Sequence, residues 1–378
     1  MATLVDPDLT LDLLRQLIRI PSVNPSLVSG AEGEGRLAHM LEDFLRRRGL
    51  PAELEEAAPG RANVILRLGQ GKPELMVLAH LDTVSGEAME DPFTPREQGG
   101  KIFGRGALDI KSGVAAAFSA AIALAGGFSQ GSCLFAGVVD EEFESLGTQK
   151  LIEHRRADAA IVLEPTQLRV ALAHKGFAWF RIETEGRAAH GSMPEEGRDA
   201  IRMMGKILVE LDRLDGELAG RAPHRWLGRP SLHASVIQGG VELSSYPAHC
   251  RLEVERRTLP GESREQVETE LQEAIRRAGD APPGRGQMTV WRGPYEIAPD
   301  HAIVRAVGEA CGAVLGRSEL SGVPFWTDTA ILAERGIPGV VFGPAGANMH
   351  GAEEYVEAGS VIECAEILVR SIRQFCSS

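Results

Sequence analysis

The sequence is short of paired cysteines, of positive charge and of long apolar runs, and each shortage removes a class of protein. Its five cysteines (Cys133, Cys250, Cys311, Cys364, Cys376) are odd in number and scattered, with no Cys-x-x-Cys pair. That pattern argues against a disulfide framework and fits reduced thiols in a cytoplasmic protein. Lys and Arg total 40 against 53 Asp and Glu, a net charge of −13. Such acidity speaks against nucleic acid or an anionic membrane as partner, while leaving room for one local Arg on a small anion. Within the longest uncharged run, Ser112–Val139, the Ala- and Gly-rich stretch Ser112–Gly131 is interrupted by polar Ser119, Ser129 and Gln130, and reads as a buried helix instead of a membrane span. The N-terminal MATLVDPDLTLDLL carries acids where a signal peptide carries Lys or Arg, so no export signal is expected. Neither an internal repeat nor a low-complexity tract is visible.

What is present is an ordinary globular composition, 43% hydrophobic and 25% charged, in 378 residues. That length is better served by two cores than by one. The first 170 or so residues alternate helices with short apolar runs at Ala62–Leu68, Leu75–Ala79, Cys133–Val139 and Ala159–Leu163, the rhythm of an α/β layered domain. From about Lys175 the order becomes β-α-β-β-α-β, a ferredoxin-like unit. Its helices are expected at Asp199–Leu214 (Ile201, Met204, Ile207, Leu208 and Leu211 on one face) and Ser263–Arg277, with a Pro/Gly loop, APPGRG, at 281–286. α/β character then resumes to the end. The economical division is a first domain of residues 1–174 and 287–378, interrupted by a second at 175–286 whose last strand is open to extension to about 293.

The stretch GVVDEEFE at 137–144 raises the chemical question. An apolar strand ends in three consecutive acids, and unpaired buried carboxylates cost several kcal/mol or take up protons. Other apolar runs end the same way. His80 and Asp82 follow one, Glu164 closes another, Asp109 sits in a Gly-flanked loop before a helix, and His350 lies in a loop after Val340–Phe342. Each alone has a bland reading, as a turn acid, a solvated Glu-Glu pair or a loop histidine. Together they place imidazoles and carboxylates at strand ends, where open α/β sheets build ligand sites. Those are ligand types for Zn²⁺ and related dications, whose charge would remove the repulsion among the acids.

In order, His80-x-Asp82, the loop Gly104–Gly113, Asp140–Glu141–Glu142, Glu164–Pro165 and a late His350 resemble the M20 metallopeptidases. These are the relatives of acetylornithine deacetylase, succinyl-diaminopimelate desuccinylase, aminoacylase and glutamate carboxypeptidase. The resemblance spans nearly the whole chain, including IPSVNPS near the start. It implies a zinc-peptidase-like α/β catalytic domain around a mixed sheet, with an inserted ferredoxin-like α+β lid that dimerises. It also implies two divalent ions, Zn²⁺ first and Co²⁺ or Mn²⁺ as alternatives. Asp109 would bridge them, His80 and Glu164 completing one site and Glu142 and His350 the other. Asp82 would fix the His80 tautomer, Glu141 would be the general base, and His190 would act as oxyanion donor in the partner subunit's site of a homodimer.

Arg257 matches the Arg that binds a substrate α-carboxylate, with neighbouring Arg256 one position away and, by strand alternation, on the opposite face. Relatives that cut larger peptides often carry Asp where Glu164 stands, so the expectation is an N-acyl-L-amino acid deacylase. A dipeptidase or carboxypeptidase on the same site is the alternative, and a non-catalytic binding protein a third reading. Asp328 is expected to cap the helix after it. Two departures stand out. Ser244 replaces a frequent Asn before Pro247, and Pro324–Phe325–Trp326 replaces a Gly-rich segment, which is expected to narrow the pocket. Finally, Glu141 and Glu142 face one site only if the strand ends at or just before Asp140.

Overall fold

The computed structural model describes residues 3–128, 130–280 and 283–377. Met1, Ala2, Ser129, Ala281 and Pro282, which the sequence reading touched, lie outside them. Two compact units emerge. The first holds the described residues up to Leu172, Ile297–Gly322 and those from Thr327 on; the second holds Ala173–Glu296 and Val323–Trp326. The later boundary has a simple cause. Arg285–Arg292 is one strand, paired antiparallel with Gly176–Glu185, and so belongs wholly to the second unit's sheet.

In the first unit, strands run in the order Glu53–Ala58, Arg61–Gln70, Gly131–Val138, Glu74–His80, Ala159–Leu163, Gly339–Phe342 and Val170–His174. The division between units falls inside the last of these. Gly131–Val138, Glu74–His80, Ala159–Leu163 and Gly339–Phe342 are mutually parallel. They are buried on both faces, which is why they read as continuous apolar runs without alternation. Covering helices include Lys111–Ala123, whose small residues are buried all round and pack on Pro7–Ile18 and Ala358–Cys376. A short separate sheet pairs Tyr355–Glu357 with Lys101–Phe103, Tyr355 opposite Phe103 with ring centroids 5.3 Å apart. That pairing draws the His350 loop beside the loop that carries Asp109. All five cysteines are buried free thiols.

The second unit is a four-stranded antiparallel sheet ordered Ser231–Gly239, His249–Thr258, Gly176–Glu185 and Arg285–Arg292, with helices Ala200–Ala219 and Arg264–Arg277. Asp199 and Ser263 cap the two helices through the N–H groups of Arg202 and Gln266. Phe180, Met204, Leu211, Cys250, Leu252, Val254 and Leu271 share the core; full burial of a Leu or Phe contributes about 1.5–3 kcal/mol. Ile201, expected inward, is 44% exposed, because the helix's buried stripe instead runs through Met203, Met204, Ile207, Leu211, Leu214 and Leu218.

Candidate metal centre

The parallel strands deliver their acidic ends to one place. Glu74–His80 ends on His80, Ala159–Leu163 one residue before Glu164, and Gly131–Val138 two residues before Asp140. Asp140 has φ 71°, a left-handed backbone that breaks the strand. The chain then turns through Glu141–Glu144, and the N–H groups of Glu141 and Glu142 both donate to the Asp82 carboxylate, at 3.1 Å each. The turn is held from behind as well. Asp140 pairs with Arg61 at 2.8 Å, Arg61 pairs with buried Glu34, and the Asn24 amide donates to both Asp82 (2.8 Å) and Asp140 (3.1 Å). Three charged residues and one amide thus fix the bend from which both glutamates project.

Two triads of ligand-type atoms result, His80–Asp109–Glu164 and Asp109–Glu142–His350, with the donor atoms in each within 4.8 Å of one another. Asp109 serves both. Its Oδ1 lies 3.2 Å from His80 Nε2 and its Oδ2 3.2 Å from His350 Nε2. His350 Nε2 is also 3.2 Å from Glu142, and His80 Nε2 is 3.7 Å from Glu164. His80 and Glu164 are buried; His350 is half-exposed. The Nδ1–H of His80 is positioned for the Asp82 backbone carbonyl at 3.0 Å, with the Asp82 carboxylate at 3.6 Å. The tautomer expected to be set by the Asp82 carboxylate is therefore met first by its main chain. The carboxylate itself is taken up by the Glu141–Glu142 turn.

Electrostatics show what this donor set lacks. Burial, and then Glu164, push the Glu141 carboxyl well up; burial, and then Asp109 and Glu142, do the same to Glu164. Burial opposes charging of His80, yet hydrogen bonds to Asp109 and Asp82 drive its pKa well above the usual range. Hydrogen bonds to Asp109 and Glu142 raise His350 to about 10. Burial thus raises Glu141, Glu142 and Glu164, while hydrogen bonds from the imidazoles lower Asp82 and Asp109 despite their burial, the pattern of a cluster short of positive charge. Imidazole and carboxylate ligands around one shared aspartate suit a pair of divalent ions, which would supply that charge.

The remaining predicted residues fall outside this cluster. Asp328 makes no capping hydrogen bond; it is buried, its Oδ2 accepts from Thr148 Oγ1 at 2.5 Å, and burial raises its pKa to about 6. The expected helix cap is therefore absent, since the carboxylate turns into the interior. His190 and Arg257 belong to the second unit. His190 sits on an exposed loop, with Nδ1 2.8 Å from Ser192 Oγ, and Ser244 braces that loop by accepting the Gly191 N–H at 2.7 Å. Burial separates Arg256 from Arg257. Arg256 is fully buried and pairs with Glu262 at 2.5 Å, whereas Arg257 is on the other face, bound to Glu255 at 2.7 Å and 5.2 Å from the Phe177 ring. Trp326 packs edge-on against Phe177 and His174.

The family model for peptidase family M20/M25/M40 matches residues 76–374. The chain belongs to that family. Over 374 residues it is 28% identical to the acetylornithine deacetylase of Aliivibrio salmonicida, an alignment covering 96% of this chain and 97% of that enzyme. A tripeptidase from Staphylococcus aureus shares its fold, with a TM-score of 0.82 at 20% identity over 99% of this chain and 100% of that one. So does a dinuclear metal-binding M20 peptidase from Bacillus subtilis, with a TM-score of 0.75 at 17% identity over 98% of each chain. The protein is a metal-dependent hydrolase of amide or peptide bonds. Among the described residues, no helix is long and apolar enough to cross a membrane.

Proposed function

We propose that the protein removes the acyl group from N-acyl-L-amino acids, at a two-ion centre formed by His80, Asp109, Glu142, Glu164 and His350. The observation that carries the reading is the end-to-end alignment with an acetylornithine deacetylase, over 97% of that enzyme. Bound ions, Zn²⁺ first among the candidates, would offset the clustered carboxylates and lower the pKa of a water toward about 7. Glu141 projects from the turn beside this cluster and serves as general base. It takes a proton from the water that attacks the amide carbon, and returns it to the nitrogen as the C–N bond breaks. Its raised pKa suits a group that must both accept and release that proton. Asp82 keeps Glu141 and Glu142 aimed through their backbone N–H groups.

Arg257 is assigned the substrate α-carboxylate, for which its planar fork is suited. His190 is assigned the oxyanion in the partner's site of a homodimer in the cytoplasm. Support for dimerisation comes from the second unit. Ser231–Gly239 is an edge strand, and Val236, Ile237, Val241 and Leu243 on and after it are 47%, 52%, 96% and 105% exposed. An unpaired apolar edge of this kind is a template for a second copy.

A dipeptidase is the second reading, favoured by the fold shared with a tripeptidase. A panel of N-acetyl amino acids and dipeptides, run on enzyme reconstituted with Zn²⁺, Co²⁺ or Mn²⁺, separates the two. Higher kcat/KM on the N-acetyl compounds is the expected result; a preference for dipeptides overturns the deacylase assignment.

A further inference from the structure

Beyond the two triads, a buried ion pair joins Arg105 to Glu354, at 2.6 Å and with side chains 1% and 0% exposed. A buried pair in isolation is a weak stabiliser, because desolvation offsets its attraction. This one is not isolated, and its other side-chain contacts, Ser85 apart, go to the two loops that carry Asp109 and His350. Glu354 Oε1 accepts the N–H groups of Leu108 (2.9 Å) and Asp109 (3.1 Å), and Oε2 accepts that of Gly106 at 3.2 Å. The loop before Asp109 is therefore folded around one carboxylate. Arg105 completes the link. Its Nη2 donates to the carbonyls of His350 (3.2 Å) and Gly351 (3.3 Å), while Nε donates to Ser85 O at 2.8 Å.

His350 needs such a tether. It is half-exposed, lies in a loop and has a left-handed backbone at φ 63°. The bonds within its own segment, Gly351 N–H to the Asn348 carbonyl and the Asn348 amide to the Glu353 carbonyl, do not involve its ring. A guanidinium with fixed planar donors holds several acceptors in one geometry, which the single ammonium of Lys does not.

We propose that Arg105 and Glu354 are a positioning pair: Glu354 sets the backbone that presents Asp109, and Arg105 ties the His350 backbone to it. The inference rests on the two-ion reading of the site. The contacts divide unequally between the ions. Of the five ligand residues Arg105 bonds only His350, so its loss falls on the Asp109–Glu142–His350 ion. Glu354 holds Asp109, which both triads share, so its loss falls on both.

The test is a calorimetric titration of metal-free protein with Zn²⁺, together with amide hydrogen exchange in the same protein. In Arg105→Lys, which keeps the buried charge, one binding step weakens by about 10–100-fold while the other stays within about twofold. In Glu354→Gln both steps weaken, and the amides of Gly106, Leu108 and Asp109 exchange faster. An Arg105→Lys protein with both steps unchanged, or both weakened alike, overturns the proposal. So does a lower melting temperature with unaltered zinc affinities, which marks a pair that only stabilises the fold. Wild-type protein that takes up fewer than two ions defeats the two-ion reading instead, and the exchange arm, which needs no metal, then decides the clamp by itself.

Discussion

Asp82 accepts two backbone N–H groups, one on each carboxylate oxygen, and the second oxygen also takes the Asn24 amide. Asp82→Asn keeps the volume but turns one oxygen into an NH2 group that meets a donor. The expected outcome is a loss of about 10–100-fold in kcat/KM and about 1–3 kcal/mol in stability, read from steady-state kinetics and urea unfolding. Wild-type kinetics in that variant would remove Asp82 from the support of the turn. A second residue reports through pH. His174 is fully buried, its Nδ1–H donates to the Lys175 carbonyl at 3.0 Å, and its Nε2 has no hydrogen-bond partner among the described residues. Burial lowers its pKa to about 4, against about 6.5 in an unfolded chain. Between those values the unfolded chain binds the proton and the folded one does not. Its contribution is thus intact above about pH 6.5 and is lost as pH falls toward 4. His174→Phe should flatten unfolding free energy against pH in that window, by up to about 1.4 kcal/mol per pH unit. Coincident slopes for the two proteins would show that His174 is not held neutral.

At the scale of elements, the decisive one is the turn after Gly131–Val138. Its strand stops at Val138, within the limit that the paired glutamates demanded. Asp140 both adopts the left-handed backbone and answers Arg61. Asp140→Ala places a non-glycine side chain at that φ without its local hydrogen bonds, and leaves Arg61 short of a partner. A stability loss of about 3–5 kcal/mol follows, measurable by denaturant unfolding; a loss below about 1 kcal/mol would contradict the assigned network.

The sequence was legible where periodicity or continuous burial is strong. Ala159–Leu163 coincides with the expected run and Gly339–Phe342 contains the expected Val340–Phe342; Arg264–Arg277 lies within a residue of its predicted ends, whereas Ala200–Ala219 runs past the predicted end at Leu214. Glu53–Ala58 was missed because ELEEAA is an edge strand rich in glutamate, without a clear apolar face. Val170–His174 was missed because its five residues carry no turn signal to set them off. The residues that meet in the two triads were legible as a set, since all but Asp109 close or follow an apolar run. Asn24, Glu34, Arg61, Arg105 and Glu354 were not, because buried polar and charged residues look like surface ones until their partners, distant in sequence, are known. The signals were faint: Asn24 inside IPSVNPS, Arg105 between two glycines, and Glu354 four residues after His350.

For the whole molecule, the exposed edge of Ser231–Gly239 makes oligomeric state testable. Val236→Lys with Ile237→Lys should convert a dimer to a monomer in light scattering, while stability of each chain stays within about 0.5 kcal/mol per substitution. A dimer that survives both lysines would exclude that edge as the interface. The central claim is that the cluster holds two ions and that Glu141 moves the proton without holding either. It is tested most directly by Glu141→Ala, with zinc content and hydrolysis of an N-acetyl amino acid measured on the same sample. The account predicts zinc content equal to that of the wild type and a rate lower by about 10²–10⁴-fold. Wild-type turnover in Glu141→Ala, or loss of the zinc along with the activity, would contradict it.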